Sequence, residues 1–429
     1  MGFWQKVTNI FSSDIFRNSA KLLSASVIVQ IVGLLIYPIL TRLYSPENFG
    51  MINLFLSISG VLTILSTAEL QYSIVLPKSE ERAVACFHVG FFSACAFFVL
   101  LLCTIPFSES IAQLFNAPDL ASWYWGIPIF VFLSSLWILL NYWYTRKKQF
   151  GAISKYQITQ CVTNAGAKCG FGFAGFLNGG LIFSALLSPF IALCFSIANT
   201  SKEIIKPLFA NKKEENFKAL REYANFPKYS LPRAIINYVS CNLLILLLTP
   251  VFGLTDIGFL GMALTLAFRP INMISESLYK VFYQKTAEHV QNNEHIVDFF
   301  KKYFLVILLC VVPLLAIIGF FINEIIVFLL GSTWSETADI ILYMMPWLIS
   351  TCFFSPICYL ADIFQKQNIG LLFEILLILA RLAGIFIGIT TNNFHLAILW
   401  YSLASIVVTA IQVLWYWHLI KVYEVSRQK

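Results

Sequence analysis

Charge is what this sequence has least of. Asp, Glu, Lys and Arg make up 12% of its 429 residues and apolar residues 59%, against roughly a quarter charged in an ordinary soluble chain. So few polar side chains cannot build a water-exposed shell, which excludes a soluble globular protein and leaves a membrane as the solvent. Paired cysteine motifs are lacking too. The ten cysteines sit mostly in apolar runs, with no C-x-x-C and a single close histidine, His88 beside Cys86, and read as small buried apolar residues rather than ligands or disulfides. There is no D-x-D, H-E-x-x-H or Walker pattern, the five histidines are scattered, and every outer segment between spans is about fifteen residues or shorter. A membrane polymerase, ligase or glycosyltransferase needs more than that, so the chain is expected not to be an enzyme. The first residues lack an apolar run ahead of a small-residue cleavage site, so no cleavable signal peptide is expected. Phe3, Trp4, Val7, Ile10, Phe11 and Ile15 recur at helical spacing instead, which predicts a short interfacial helix.

What is present is a series of apolar runs bounded by charge, Pro, Asn or Gly. They predict spans near 19–43, 49–76, 83–106, 122–145, 155–177 and 180–201, then, after a polar stretch, near 228–251, 256–281, 301–322, 337–363, 368–390 and 394–420. The expected organisation is a cytoplasmic segment 1–18, a six-helix bundle 19–201, a basic linker 202–227, a second six-helix bundle 228–421 and a tail 422–429. Among segments outside the spans, Arg42 is the only basic residue on one side. Lys168, Arg269 and Arg381 lie within spans, and every other Lys and Arg falls on the opposite side. The positive-inside rule therefore makes both termini cytoplasmic. Placed in this way, the net charge of +7 belongs to a membrane surface and argues against nucleic acid as a partner. The linker carries Glu203, Glu214, Glu215 and Glu222 among its lysines; it is either a solvated connector or a contact to anionic headgroups.

Offset by 208 residues, Thr41–Gly50 lies over Thr249–Gly258, with Thr and Gly matching at the two ends. The two halves are expected to be a parallel repeat.

Four segments resemble the polysaccharide-transport (oligosaccharide flippase, Wzx-type) family of the multidrug/oligosaccharidyl-lipid/polysaccharide exporter superfamily. Arg42-Leu-Tyr-Ser-Pro-Glu-Asn-Phe-Gly50 is similar to that family's R-x-x-x-P-E-x-[FY]-G. Gln71-Tyr-Ser-Ile-Val-Leu-Pro77 is similar to the close of its second span, Phe226-Pro-Lys-Tyr229 to the start of its seventh, and Val281-Phe-Tyr-Gln284-Lys-Thr-Ala287 to the close of its eighth. One departure stands out: family members often carry a basic residue one turn before the eighth-helix proline, where this chain has Thr265, and Arg269 instead directly precedes Pro270. The resemblance implies an all-α polytopic membrane protein of about twelve transmembrane helices in two six-helix bundles around a central cavity, working by alternating access. The implied substrate is an undecaprenyl-diphosphate-linked oligosaccharide carried across the bacterial cytoplasmic (inner) membrane for O-antigen or capsule-like polymer. The implied partners are membrane lipids, a polysaccharide polymerase and a chain-length regulator. A cation-coupled multidrug exporter of the same superfamily is the nearer alternative, a membrane glycan polymerase or ligase the more distant one.

Six charges within the spans stand out as candidates, since a charge at mid-membrane costs several kcal/mol unless it faces protein or water, roughly 2.5–3.5 on insertion scales. Arg269, Arg381 and Lys168, with Arg42 at the outer rim, are the candidates for holding a diphosphate, because Arg and Lys give charge-assisted hydrogen bonds to phosphate oxygens. Glu374, Glu276 and Glu69 are candidates for ion coupling or for pairing. No cofactor or metal is expected, and H⁺ and Na⁺ remain alternatives as coupling ions. Arg269 and Glu276, like Glu374 and Arg381, are seven residues apart, on one helix face but about 10 Å along the axis, so pairing within a helix is not expected. Pro38, Pro270, Pro313, Pro346 and Pro356 each remove a helical hydrogen bond. Pro38, Pro346 and Pro356 are the hinge candidates.

Overall fold

The computed structural model describes residues 29–200, 202–209 and 213–427; the expected interfacial helix lies outside them. Every regular element among these residues is helical. In chain order the main helices are α1 (Val29–Leu43), α2 (Pro46–Thr67), α3 (Glu80–Leu102), α4 (Gly126–Arg146), α5 (Phe150–Phe173) and α6 (Leu177–Ala198). After them come the linker helix α7 (Lys213–Glu222), α8 (Phe226–Cys241), α9 (Leu243–Phe252), α10 (Leu254–Val290), α11 (Val297–Phe320), α12 (Ser332–Ile363), α13 (Gln367–Thr390) and α14 (Phe394–Arg427). Nine of these are long and apolar enough to cross a membrane, and the bent pair α8–α9 makes a tenth. The predicted first span is met in part by α1. The predicted fifth is met by α5, which has the length but is diluted by Lys155, Gln157, Gln160, Asn164 and Lys168. The fold is that of an all-α polytopic membrane protein. Two expected boundaries shift: the second span stops at Thr67, and the expected tail from residue 422 is a continuation of α14.

The described residues fall into two compact units that meet in sequence between Asn242 and Leu243. The sequence-based boundary at 228 lies one short helix upstream. The difference arises because α8 packs on α2: the Tyr238 hydroxyl donates to the Leu56 carbonyl at 3.3 Å, and a Cβ added to Gly60 would sit inside the Tyr238 ring. The repeat register is visible in the helix starts, since α2 begins at Pro46 and α10 at Leu254, the same 208-residue offset. Thr41 and Thr249 both donate back to the carbonyl four residues earlier.

Many hydroxyls inside the spans are satisfied locally, within their own helix. Thr63, Ser135 and Ser184 in the N-terminal unit, and Thr265, Ser405 and Thr409 in the C-terminal unit, each donate to the carbonyl four residues back. The core of the N-terminal unit holds Trp143, Tyr144 and Tyr156, with Tyr156 stacked on Trp137 at 3.3 Å. That of the C-terminal unit holds Phe300, Tyr303, Tyr359 and Tyr416. All ten cysteines are free, but the expectation that they are buried needs correcting: only Cys86 is, while Cys103, Cys194, Cys241 and Cys310 are exposed. In a lipid solvent an apolar side chain gains little by turning inward.

Three prolines follow widened turns. The turns Phe226–Ser230, Leu264–Phe268 and Ile307–Val311 are π-helical, and each contains the residue four positions before Pro232, Pro270 or Pro313. The widened turn moves that residue's carbonyl away from the proline ring, which a regular α-turn would bring into collision. Of the sequence-based hinge candidates, Pro38 follows a break at Ile36, Pro346 lies inside an uninterrupted stretch Glu336–Phe354, and Pro356 sits in the 3₁₀ turn Ser355–Ile357.

Candidate functional site

In the C-terminal unit, α13 and α14 approach closely because α13 carries Gly384-x-x-x-Gly388. A Cβ at Gly384 would lie 2.7 Å from the Trp400 backbone, and one at Gly388 2.2 Å from Ala397 Cα. Small residues spaced in this way let helix backbones meet in a membrane. One turn before Gly384 is Arg381, and the close crossing sets it against α14. Its Nε donates to Ser405 Oγ at 2.8 Å, and that hydroxyl donates onward to the Tyr401 carbonyl at 2.8 Å. The guanidinium lies over the Tyr401 ring at 4.8 Å and the Trp347 ring of α12 at 5.6 Å. Trp347 meets Tyr401 edge-on at 5.2 Å, and Phe268 of α10 stacks on Trp347 at 4.4 Å.

Arg381 is partly buried, and among the described residues no carboxylate pairs with it. One of its five N–H donors is committed to a side chain, and the two aromatic faces hold the charge by cation–π attraction. The arrangement fixes a cation in an apolar bundle and leaves its terminal nitrogens able to bind an anion. The contact chain Arg381–Trp347–Phe268 ends at the residue before Arg269, but successive residues of a helix point in different directions, and no contact joins Arg269 to this wall among the described residues. Arg269 itself is exposed and has no hydrogen bond or ion pair among the described residues.

The other candidates are distributed. Glu276 is exposed and accepts from Asn272 Nδ2 at 2.9 Å, not from Arg269. Glu374 is exposed and does not reach Arg381. In the N-terminal unit, Arg42 is exposed and donates to the Pro38 carbonyl at 2.6 Å. Lys168 is partly buried, and its carbonyl accepts from the Tyr44 hydroxyl at 2.7 Å. Glu69 is 6% exposed, where Ala68 and Glu69 both take left-handed backbone angles. Gln71, Tyr72 and Arg233 lie beside its carboxylate.

Two further arginines mark the basic end of the N-terminal unit. Arg146 reaches the carbonyls of Ile74, Val75, Pro77, Lys78 and Ser79. Arg82 clamps α7 through Glu215 at 2.9 Å and through Glu222. Lys218 and Arg82 hold the Glu215 carboxyl below its ordinary value, and Arg82 does the same for Glu222.

Reading the sequence missed Trp347, Tyr401, Ser405 and Phe268. Gly384-x-x-x-Gly388 signals which face of α13 meets a neighbour, but nothing in the sequence names that neighbour or these four residues.

Known proteins were compared with this architecture. Residues 39–339 match the model of a family described as polysaccharide biosynthesis protein. No curated protein matches the chain. Among solved structures, an inward-facing multidrug resistance MATE family transporter of the MOP superfamily is 14% identical, with a TM-score of 0.69, covering 92% of this chain and 95% of its own. The lipid II flippase MurJ in an inward closed conformation is 15% identical, with a TM-score of 0.67, covering 93% of this chain and 87% of its own. At such identities the similarity is one of fold.

Proposed function

Given that the chain belongs to the polysaccharide biosynthesis protein family, we propose that it is a flippase for an undecaprenyl-diphosphate-linked oligosaccharide. It carries the repeat unit from the cytoplasmic to the outer face of a bacterial inner membrane by alternating access, for an O-antigen or capsule-like polymer. In this reading both termini and the basic loops are cytoplasmic, and the chain hands its cargo on to a polymerase and chain-length regulator without itself forming or breaking a covalent bond.

The observation that carries the proposal beyond family membership is Arg381, a guanidinium inside an apolar bundle with aromatic supports and, among the described residues, no acid paired with it. Such a charge persists in a membrane protein where an anion or water meets it, and a diphosphate matches its planar donor fork. Arg269 is assigned to the same anion, and Lys168 and Arg42 to its path in the N-terminal half. Glu374, Glu276 and Glu69 are assigned to coupling, with H⁺ or Na⁺ as the ion.

The test is deletion of the gene followed by location of lipid-linked repeat units by membrane side. Accumulation on the cytoplasmic face, with surface polymer lost and restored by the intact gene, is the expected result. Units that reach the outer face but stay unpolymerised would assign the protein a role after flipping. Efflux of organic cations from proteoliposomes, with no effect on glycolipid, would favour a drug exporter.

A further inference from the structure

Two of the segments that carry the family resemblance, Gln71–Pro77 and Phe226–Tyr229, are far apart in sequence but meet in the N-terminal unit. Tyr72 stacks on Phe226 with ring centroids 6.0 Å apart and planes 27° from parallel. Tyr142 of α4 meets Tyr72 edge-on at 5.2 Å, and Tyr223 stacks on Phe226 at 6.3 Å. Four rings therefore form a row at the end of the unit that carries the basic loops.

The row does not have the character of sealed core. Tyr72 is 42% exposed and is followed by exposed Val75 and Leu76. Polar groups stand beside it. Glu69 and Gln71 are each 6% exposed, Gln71 and Tyr72 lie beside Glu69, and the Gln71 Oε1 acceptor has no hydrogen-bond partner among the described residues. Arg233, exposed on α8, adds donors of its own. The backbone is bent at this arrangement: Ala68 at φ 49° and Glu69 at φ 60° are left-handed without being glycine, a strained conformation that persists where the surroundings or a function require it.

The chemistry of the patch discriminates among ligands. A phosphate needs donors but no ring faces. An acyl chain would not be placed against a carboxylate and an unfilled amide oxygen. A pyranose ring presents an apolar C–H face together with a rim of hydroxyls, and so needs exposed aromatic surface flanked by carboxylate, amide and guanidinium, which is the combination here.

We propose that Tyr72, Phe226 and Tyr142, with Glu69, Gln71 and Arg233, form a glycan-docking subsite at the basic end of the N-terminal unit. It takes sugar rings of the cargo, separately from the cations assigned to the diphosphate. The proposal rests on the flippase reading and adds to it a recognition site for the part of the cargo that differs between polymers.

The experiment uses the full-length protein purified in detergent, titrated with two probes and followed by calorimetry and saturation-transfer NMR. One probe is the oligosaccharide released by mild acid from the lipid carrier of the producing strain; the other is undecaprenyl diphosphate without sugar. The wild type should bind the free oligosaccharide, and Tyr72→Ala and Phe226→Ala should each weaken it roughly tenfold, as loss of an anchoring aromatic does, while leaving the sugar-free lipid unaffected. Tyr72→Phe, which keeps the ring and serves as the folding control, should retain most of the affinity. Unchanged oligosaccharide affinity in both alanine variants, or no binding by the wild type, would overturn the subsite. The membrane-side assay is independent of this outcome: if units accumulate inside the deletion strain while the subsite fails, the flippase reading survives, and if they do not, that reading fails for its own reason.

Discussion

Arginine is used in opposite ways at the basic end of the N-terminal unit and in the middle of α13. In the N-terminal unit Arg146 and Arg82 stand at span ends, where Arg146 gathers five backbone carbonyls and Arg82 two glutamates of the linker helix. Their charge is spent on closing a turn and holding α7. In the C-terminal unit Arg381 lies in the middle of α13 and is given two aromatic faces and one serine. A guanidinium has the same chemistry in both places. What differs is the supply of acceptors: where they are plentiful the side chain is structural, and where they are withheld it is available to a ligand. Proline shows a related contrast. Turns widened ahead of Pro270 and Pro313 lie in the C-terminal unit, and the remaining one opens α8, the helix next to the junction between units.

The sharpest way to break this comparison is through helix packing. Gly388→Leu puts a side chain where Ala397 Cα is 2.2 Å from the added Cβ. It should remove the α13–α14 crossing and with it the setting of Arg381, a loss of about 3 kcal/mol or more seen as collapse of thermal stability in detergent. Gly166 of α5 has nothing within 4 Å of an added Cβ, so Gly166→Ala should be neutral or stabilise by up to about 1 kcal/mol in the same measurement.

Next in size is the loss of Arg381 itself. Arg381→Ala and Arg269→Ala should lower surface polymer by more than about tenfold while membrane insertion is unchanged, and Arg381→Lys should keep part of the function if charge alone is needed. Wild-type export by both alanine variants would remove these residues from the substrate path.

The structural arginines should give smaller and different effects. Arg82→Gln should speed tryptic cleavage at Lys218 and Arg221 by a few-fold, in line with the ~0.2–1 kcal/mol of exposed ion pairs, with little change in overall stability. The smallest effect is in pH. The Glu215 and Glu222 carboxyls are held below the ordinary value of 4.5 in the folded protein, so their contribution is full above that value and is lost as pH falls through the folded-state values. Linker cleavage by an acid-tolerant protease should therefore rise on acidification below about pH 4.5. Arg82→Gln should abolish the part of that rise that the Arg82 contacts cause.

Much of the fold was legible because a lipid solvent imposes length and composition on each helix separately. The runs at 83–106, 122–145 and 368–390 reappear as α3, α4 and α13 with ends shifted by a few residues. The site was only half legible. That Arg269 and Arg381 are charges without local partners follows from their seven-residue distance to Glu276 and Glu374, which the rise of a helix makes too long to bridge. That Arg381 meets an aromatic wall of Trp347 and Tyr401, with Phe268 stacked behind, depends on contacts between α10, α12, α13 and α14, and no sequence periodicity encodes which faces of separate helices meet.

By itself, then, the sequence determined the solvent, the helices and the register of the repeat, because burial in lipid acts on each segment alone. Tertiary structure alone decided that α8 packs with the first unit, that Tyr72 finds Phe226, and that Arg381 is held by Trp347, Tyr401 and Ser405. The first is set by the room Gly60 leaves for the Tyr238 ring, and the last by close approach between backbones at Gly384 and Gly388, where a single methyl group would collide with the partner.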